Sequence, residues 1–179
     1  MMKVLTSAVL IGLLALFTAS ADAQGQGKDN AEARLKASNL TLPAVTDPAA
    51  NFVSSVRTGN LLYLSGNTPG PRWTPNGKLG KDLTVDQGYQ AARQAGVLML
   101  AKIRAALGSL NRVKRVVKVF GMVNSAEGFG DQPKVMNGFS DLMVEIFGPA
   151  IGKHARSAVG MAGLPGNAPV EVEMIVEVK

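Results

Sequence analysis

The 179-residue chain contains no cysteine and a single histidine. The missing thiols exclude a disulfide framework, a thiolate zinc site, a cysteine nucleophile and a lipid-modified N-terminal cysteine. One histidine cannot build a multi-histidine metal site within one chain, and only His154 could serve a His-based triad. Aromatic residues are scarce, with one Trp, two Tyr and six Phe, so platforms for stacking nucleic-acid bases are few. The long apolar run Val4–Phe17 is shorter than the roughly 20 residues needed to span a bilayer. What is present is 46% hydrophobic residues and a net charge of +6, a composition that folds rather than one that stays disordered. The length suits one domain or two very small ones.

Met1-Met2-Lys3, the run Val4–Phe17 and the small-residue pattern Ala21-Asp22-Ala23 have the layout of a secretory signal. We expect residues 1–23 to be removed, the mature chain to start at Gln24, and the protein to be exported to the periplasm or secreted without stable membrane insertion. Residues 24–50 are polar and rich in small residues, and are expected to form a tail with a helical turn near 31–37. The folded domain is expected over 51–179.

Within that domain, Phe52–Val56 and Leu61–Ser65 flank Thr58-Gly59-Asn60, the pattern of a β-hairpin. Residues 66–81 carry three prolines and several glycines and are expected to form a loop over a site or interface. Thr84-Val85-Asp86-Gln87 fits a capping box. Apolar or small residues at 85, 89, 92, 96, 99, 103 and 106 then give one helix face, with Gly96 allowing close approach and Gly108 ending the helix. Val113–Val123 is a valine-rich strand. Pro133 opens a second helix with Val135, Phe139, Leu142, Met143, Ile146 and Phe147 on its apolar face, and Gly148-Pro149 stops it. Residues 157–162 form a short strand. Val170–Val178 alternates with period two, placing Glu171, Glu173, Ile175 and Glu177 on one face. The order β-β-α-β-α-β-β implies an α+β fold, with two helices covering one face of a mostly antiparallel sheet. The other face is left wet or buried against another subunit.

Candidate sites follow from residue type and place. Gly128-Phe129-Gly130-Asp131-Gln132-Pro133 follows a strand and opens a helix, where a dinucleotide fingerprint would sit. Its third glycine is a proline and no parallel β-α-β context is evident, so we read it as a turn. Arg112, Lys114, Arg115 and Lys118 form a basic cluster, read as a solvated edge strand and not as a nucleic-acid interface. His154 is read as a surface or capping histidine, because no nearby Ser–Asp constellation supports a triad. Arg156 lies among small residues at a loop-to-strand junction. It can hold a ligand carboxylate through parallel hydrogen bonds, or it can form a structural salt bridge to Glu171 or Glu173.

Ala155-Arg156-Ser157-Ala158-Val159, Leu164-Pro165 and Val170-Glu171-Val172-Glu173 together resemble the C-terminal signature of the Rid family of reactive intermediate deaminases, also called YjgF-like proteins. Gly59-Asn60-Leu61-Leu62-Tyr63-Leu64-Ser65-Gly66 is similar to the family's first hairpin, and Leu110-Asn111-Arg112-Val113-Lys114 to its middle. The resemblance implies a chorismate-mutase-like (ferredoxin-like) fold. It also implies a homotrimer with sites between subunits, and hydrolysis of amino-acid-derived enamines and imines to ammonia and a 2-keto acid. It implies no metal and no organic cofactor. In this reading Arg156 clamps the substrate carboxylate, Glu171 is the catalytic acid that orients or activates water, and Ser65, Gly66 and Phe52 line the pocket. Phe52 stands where the best-studied branch has a tyrosine, and Ala158 where it has a cysteine. The alternative is a trimer that binds small carboxylic or 2-keto acids without turnover.

If residues 162 and 170 close a final hairpin, Glu171 faces Met161, and Arg156 lies roughly 16 Å away along the strand. One chain would then not unite the pair, which favours a site shared between subunits.

Overall fold

The computed structural model describes residues 30–46 and 48–179. The expected signal over 1–23 lies outside the described residues. Among the described residues, no helix is long and apolar enough to cross a membrane.

The elements are α1 (Ala31–Ala37), β1 (Ser55–Thr58), β2 (Leu61–Asn67), α2 (Val85–Leu107), β3 (Val113–Asn124), α3 (Gln132–Phe147), the single turn α4 (Pro149–Gly152), β4 (Ala155–Met161) and β5 (Val170–Val178). The anticipated β-β-α-β-α-β-β order is present. The first hairpin pairs Thr58 with Leu61 around Gly59-Asn60. Gly59 has the positive φ that a two-residue hairpin turn demands. Thr84 and Gln87 form the capping box at the start of α2, and Gly108 ends that helix in the left-handed region. The buried side of α2 is broader than the seven positions read from the sequence. Gly88, Ala91, Ala95, Leu100 and Leu107 join it, while Ala106 is exposed.

Residues 31–42 do not behave as a loose tail. Ala31, Leu35 and Leu42 belong to the core. Glu32 accepts from the Leu110 N–H at 2.8 Å, and the Glu32 N–H donates to Asn111 Oδ1 at 3.1 Å. An apolar residue at each helical turn was enough to dock the segment, although its overall composition is polar.

The sheet has five strands in the order β1-β2-β5-β3-β4. All neighbours are antiparallel except β3 and β4, which are parallel. This corrects two expectations. β4 and β5 do not form a hairpin, because β3 lies between them. And β3-α3-β4 is a parallel β-α-β unit, the context not evident from the sequence around Gly128–Pro133. The reason lies in the strands themselves. β5 has five buried apolar residues on one face (Val170, Val172, Met174, Val176 and Val178) and takes a central position. β4 is rich in small and polar residues and suits an edge.

The register fixes which side chains share a face. Val119 pairs with both Met174 and Arg156, and Leu64 pairs with Met174, so these residues lie in one row. Met174, Val119 and Leu64 are buried, so that row faces the helices. The alternate row runs Val56, Tyr63, Ile175, Lys118, Ala155 on the uncovered face, where Val56 is 56% and Tyr63 42% exposed. The helices α2 and α3 touch at three glycines, Gly88 (beside Val135), Gly96 and Gly138. A Cβ on Gly96 would press on Leu142 and Phe139, and one on Gly138 would strike the carbonyl oxygen of Tyr89.

The 66–81 segment is only partly a loop, since β2 continues to Asn67. Its second half is tied down. Leu79 is fully buried and its N–H donates to the Asn124 carbonyl at 2.8 Å. Lys78 Nζ donates to Asn124 Oδ1 and to the carbonyls of Ser125 and Ala162.

Candidate functional site

Arg156 is the second residue of edge strand β4 and lies in the row that faces the helices. Its Nη1 donates to Asn137 Oδ1 at 3.0 Å and to Ser140 Oγ at 2.9 Å, and Nη2 donates to the Pro133 carbonyl at 3.2 Å. All three acceptors are neutral and come from α3. Among the described residues no carboxylate comes within ion-pair distance of this guanidinium. The structural alternative, a bridge to Glu171 or Glu173, is therefore not formed. Both glutamates lie in rows that alternate with that of Arg156. Burial lowers the Arg156 pKa, and the charge of Asp141 partly offsets this. Nε–H and the second Nη2–H have no protein acceptor among the described residues. The guanidinium borders a hollow of about 440 Å3 lined by Ser140, Asp141, Val144, Lys153 and His154.

Glu171 lies elsewhere. β2 and β5 slip register between Leu64 and Asn67, and Gly66 sits in that irregularity. A Cβ at Gly66 would collide with Glu171 Oε1, so the glycine makes room for the carboxylate. Glu171 borders a hollow of about 410 Å3 with Phe52, Gly66, Leu98, Lys102 and Pro165. Burial raises its pKa above the usual carboxylate value and Glu173 adds to the rise, while the Lys102 ammonium opposes it. Burial in turn lowers the pKa of Lys102.

This has a consequence for stability. A carboxyl with a raised folded-state pKa contributes stability that is full below its unfolded value, roughly 4.3, and is lost as pH climbs through the folded value. Glu171→Gln mimics the protonated form and escapes that loss. Its melting temperature should match wild type at about pH 4 and exceed it at about pH 7. Thermal melts showing the variant equal or lower at the higher pH would contradict this.

Ser65 faces a third hollow, of about 380 Å3, on the uncovered side of the sheet with Tyr63, Lys118, Phe120 and Glu173. Its Oγ donates to the Val53 carbonyl at 2.7 Å. Phe52 precedes β1 and is 56% exposed. The structure thus brings Glu171, Gly66 and Phe52 together and places Arg156 apart from them within one protomer. Met122 pairs with both Glu171 and Val159, so Arg156 is three residues from the position level with Glu171 and two strands away. Ala158 faces the helices and packs against the core.

Sequence reasoning missed Asn137 and Ser140, the side-chain partners of Arg156, and Lys102 beside Glu171. Asn137 and Ser140 are three apart on α3 and share a face, but only the parallel pairing of β4 with β3 puts that face next to Arg156. The basic cluster does not lie on an edge strand, because β3 runs between β5 and β4, although Arg112, Lys114 and Arg115 are exposed as a solvated cluster would be. Lys114 pairs with Glu177 at 2.8 Å, Lys118 donates to Ser157 Oγ, and Arg112 donates to the Leu107 carbonyl. Among the described residues, no group of three or more His, Cys, Asp or Glu could hold a metal ion.

The protomer is an α+β domain of the YjgF/chorismate mutase-like fold class, with an arginine on its edge strand and a glycine-cradled glutamate on its central strand. The chain belongs to the YjgF/chorismate mutase-like family, whose model, described as "YjgF/chorismate_mutase-like, putative endoribonuclease", matches residues 32–178. It is 46% identical over 149 residues to Protein TCP17 of Trypanosoma cruzi, covering 81% of this chain and 92% of that one. It is 30% identical over 140 residues to a 2-iminobutanoate/2-iminopropanoate deaminase of Dermatophagoides farinae, covering 78% and 95%. The crystal structure of Atu1372 from Agrobacterium tumefaciens, a protein of unknown function, superposes with a TM-score of 0.77 at 41% identity. It covers 88% of this chain and all of that one.

Proposed function

We propose that this protein hydrolyses enamines and imines derived from amino acids to ammonia and 2-keto acids, without a cofactor, at sites formed between the subunits of a homotrimer. The observation that carries the reading is the Arg156 guanidinium. It is charged, held by three neutral oxygens and open to a hollow, with N–H groups left for a substrate carboxylate. The mite relative, named for action on 2-iminobutanoate and 2-iminopropanoate, supports the same substrate class.

In this mechanism Arg156 fixes the acid end of the imine. Glu171, in its ionised form, takes a proton from water as the oxygen adds to the imine carbon. That proton passes to nitrogen and leaves a carbinolamine; Glu171 then takes the carbinol hydroxyl proton and delivers it to nitrogen, so that the carbonyl forms as the carbon–nitrogen bond breaks and ammonia leaves. Gly66 and Phe52 line the pocket beside Glu171, and Ser65, which faces a separate hollow within one protomer, would join them only across the subunit boundary. Arg156 of one copy would meet Glu171 of a neighbour, because one protomer separates them. Association would also cover Val56 and Tyr63 on the open sheet face. We expect light scattering to give the mass of a trimer, and a monomer at micromolar concentration would contradict this. Export, directed by residues 1–23, is part of the same proposal.

The test is release of 2-keto acid from imines generated in situ by an amino-acid oxidase. The purified protein should accelerate it for at least some of a panel of amino acids. Fully assembled protein that accelerates none would overturn the reading. The separation of Arg156 and Glu171 within a protomer favours a second reading, a carboxylate binder without turnover. It would be selected by calorimetric binding of 2-keto acids that depends on Arg156, beside a silent kinetic assay.

A further inference from the structure

The hollow beside Arg156 contains more than a clamp for an anion. Ser140 Oγ lies 3.1 Å from His154 Nε2, and His154 Nδ1 lies 2.7 Å from the Gly152 carbonyl oxygen. A carbonyl can only accept, so Nδ1 carries the proton, and the lone pair on Nε2 faces the serine hydroxyl. His154 thus caps the end of α4, as the capping reading expected, and its other ring nitrogen meets Ser140 besides. The fold sets a hydroxyl, a base and a group that orients the base in one line, the geometry of an activated nucleophile. Phe139 stands edge-on to the imidazole, with ring centroids 6.4 Å apart at 82°, and fixes the ring plane. Burial holds the His154 pKa below its ordinary value; the Gly152 carbonyl opposes the shift and the Arg156 charge adds to it. The ring is neutral and able to take a proton. Arg156 Nη1 donates to Ser140 Oγ at 2.9 Å, a position from which a cation stabilises a developing alkoxide. Asp141 and Lys153 line the same hollow, and Asp141 is engaged by the Tyr89 hydroxyl at 3.0 Å.

We propose that Ser140 and His154 are a nucleophile–base pair, and that this groove hydrolyses small esters or thioesters whose acyl chain carries a carboxylate. Ser140 Oγ bonds to the acyl carbon while its proton passes to His154 Nε2. The imidazolium returns that proton to the departing alkoxide or thiolate as the acyl bond to it breaks. Water then adds to the acyl-serine and gives a proton to Nε2, which hands it back to Ser140 Oγ as the acid leaves. Water is the one co-reactant. Arg156 and Lys153 supply the positive charge for the acyl chain's carboxylate and for the oxyanion. Glu171 plays no part, so this activity stands or falls separately from imine hydrolysis.

The experiment uses the full chain with an aryl fluorophosphonate, p-nitrophenyl acetate and mono-p-nitrophenyl succinate. The fluorophosphonate should label the folded wild-type protein on the peptide that carries Ser140, as mapped by mass spectrometry. The succinate ester should turn over at least ~10-fold faster than the acetate, a preference that one charge-assisted contact supplies. Turnover should rise with pH to a plateau, with its midpoint below the ordinary imidazole value. His154→Gln should lower kcat by ~100-fold or more, the usual worth of a positioned base. Ser140→Ala should lose both label and turnover. Label absent from Ser140 in the wild-type chain, where misfolding is not at issue, would overturn the proposal. So would undiminished turnover in Ser140→Ala.

Discussion

Replacing Arg156 with alanine is expected to lower kcat/KM for imine hydrolysis by roughly a hundredfold or more, the scale set by a lost bidentate contact to a carboxylate and a misplaced substrate. The loss should appear in KM, because the clamp is gone, and in kcat, because the imine carbon is no longer held beside the water. Arg156→Lys should recover only part of it, since an ammonium cannot form two parallel hydrogen bonds. The fold should survive. The oxygens left behind, on Asn137, Ser140 and Pro133, lie at or near the surface and can turn to water. A cost of about 1–2 kcal/mol of stability is the expected ceiling for those lost bonds. Steady-state kinetics with the oxidase-coupled assay, beside a thermal melt, measure both quantities. A variant with intact kcat/KM would remove Arg156 from the mechanism.

Gly138→Val is expected to do the reverse, damaging the fold through a position buried in the contact between α2 and α3. At Gly138 the backbone of α2 lies against α3 with no room for a side chain. A Cβ there would run into the Tyr89 carbonyl oxygen and crowd the backbone nitrogen of Arg93. These are main-chain atoms of a 23-residue helix and cannot rotate away. The helices must separate, which loosens the packing of Gly96 against Leu142 and Phe139. Overpacking of this kind costs about 3 kcal/mol or more. For a chain of this size that is a fall of roughly 10 °C in melting temperature. Gly130→Ala is the control, because nothing lies within 4 Å of the added methyl group. Calorimetry that finds the two variants alike would refute the account of the helix contact.

Much of the fold was legible because its signals are local. The capping box at Thr84, the helix-ending Gly108, Pro133 at the start of α3 and the alternation in β5 each depend on residues within one or two turns of each other. The misreadings share a different cause. The docking of α1, the insertion of β5 between β2 and β3, and the parallel pairing of β4 all depend on contacts distant in sequence. The same holds at the site. Arg156 stood out by residue type and neighbours, and Glu171 only through the resemblance of its motif to a known family. Ser140 looked like one more polar position on a helix, and His154 looked isolated, because their relation exists only once α3 is laid beside β4.

Composition and periodicity alone determined that this chain forms an α+β domain free of thiol chemistry, with an arginine and a glutamate on separate strands near its C-terminus. Side-chain period and backbone caps are written in neighbouring residues, so they can be read without coordinates. Only the tertiary structure decided that those two charges lie in different hollows, and that a serine, a histidine and the arginine share one. Strand order and register arise from which apolar faces can be buried together, and that is a competition among all the strands at once.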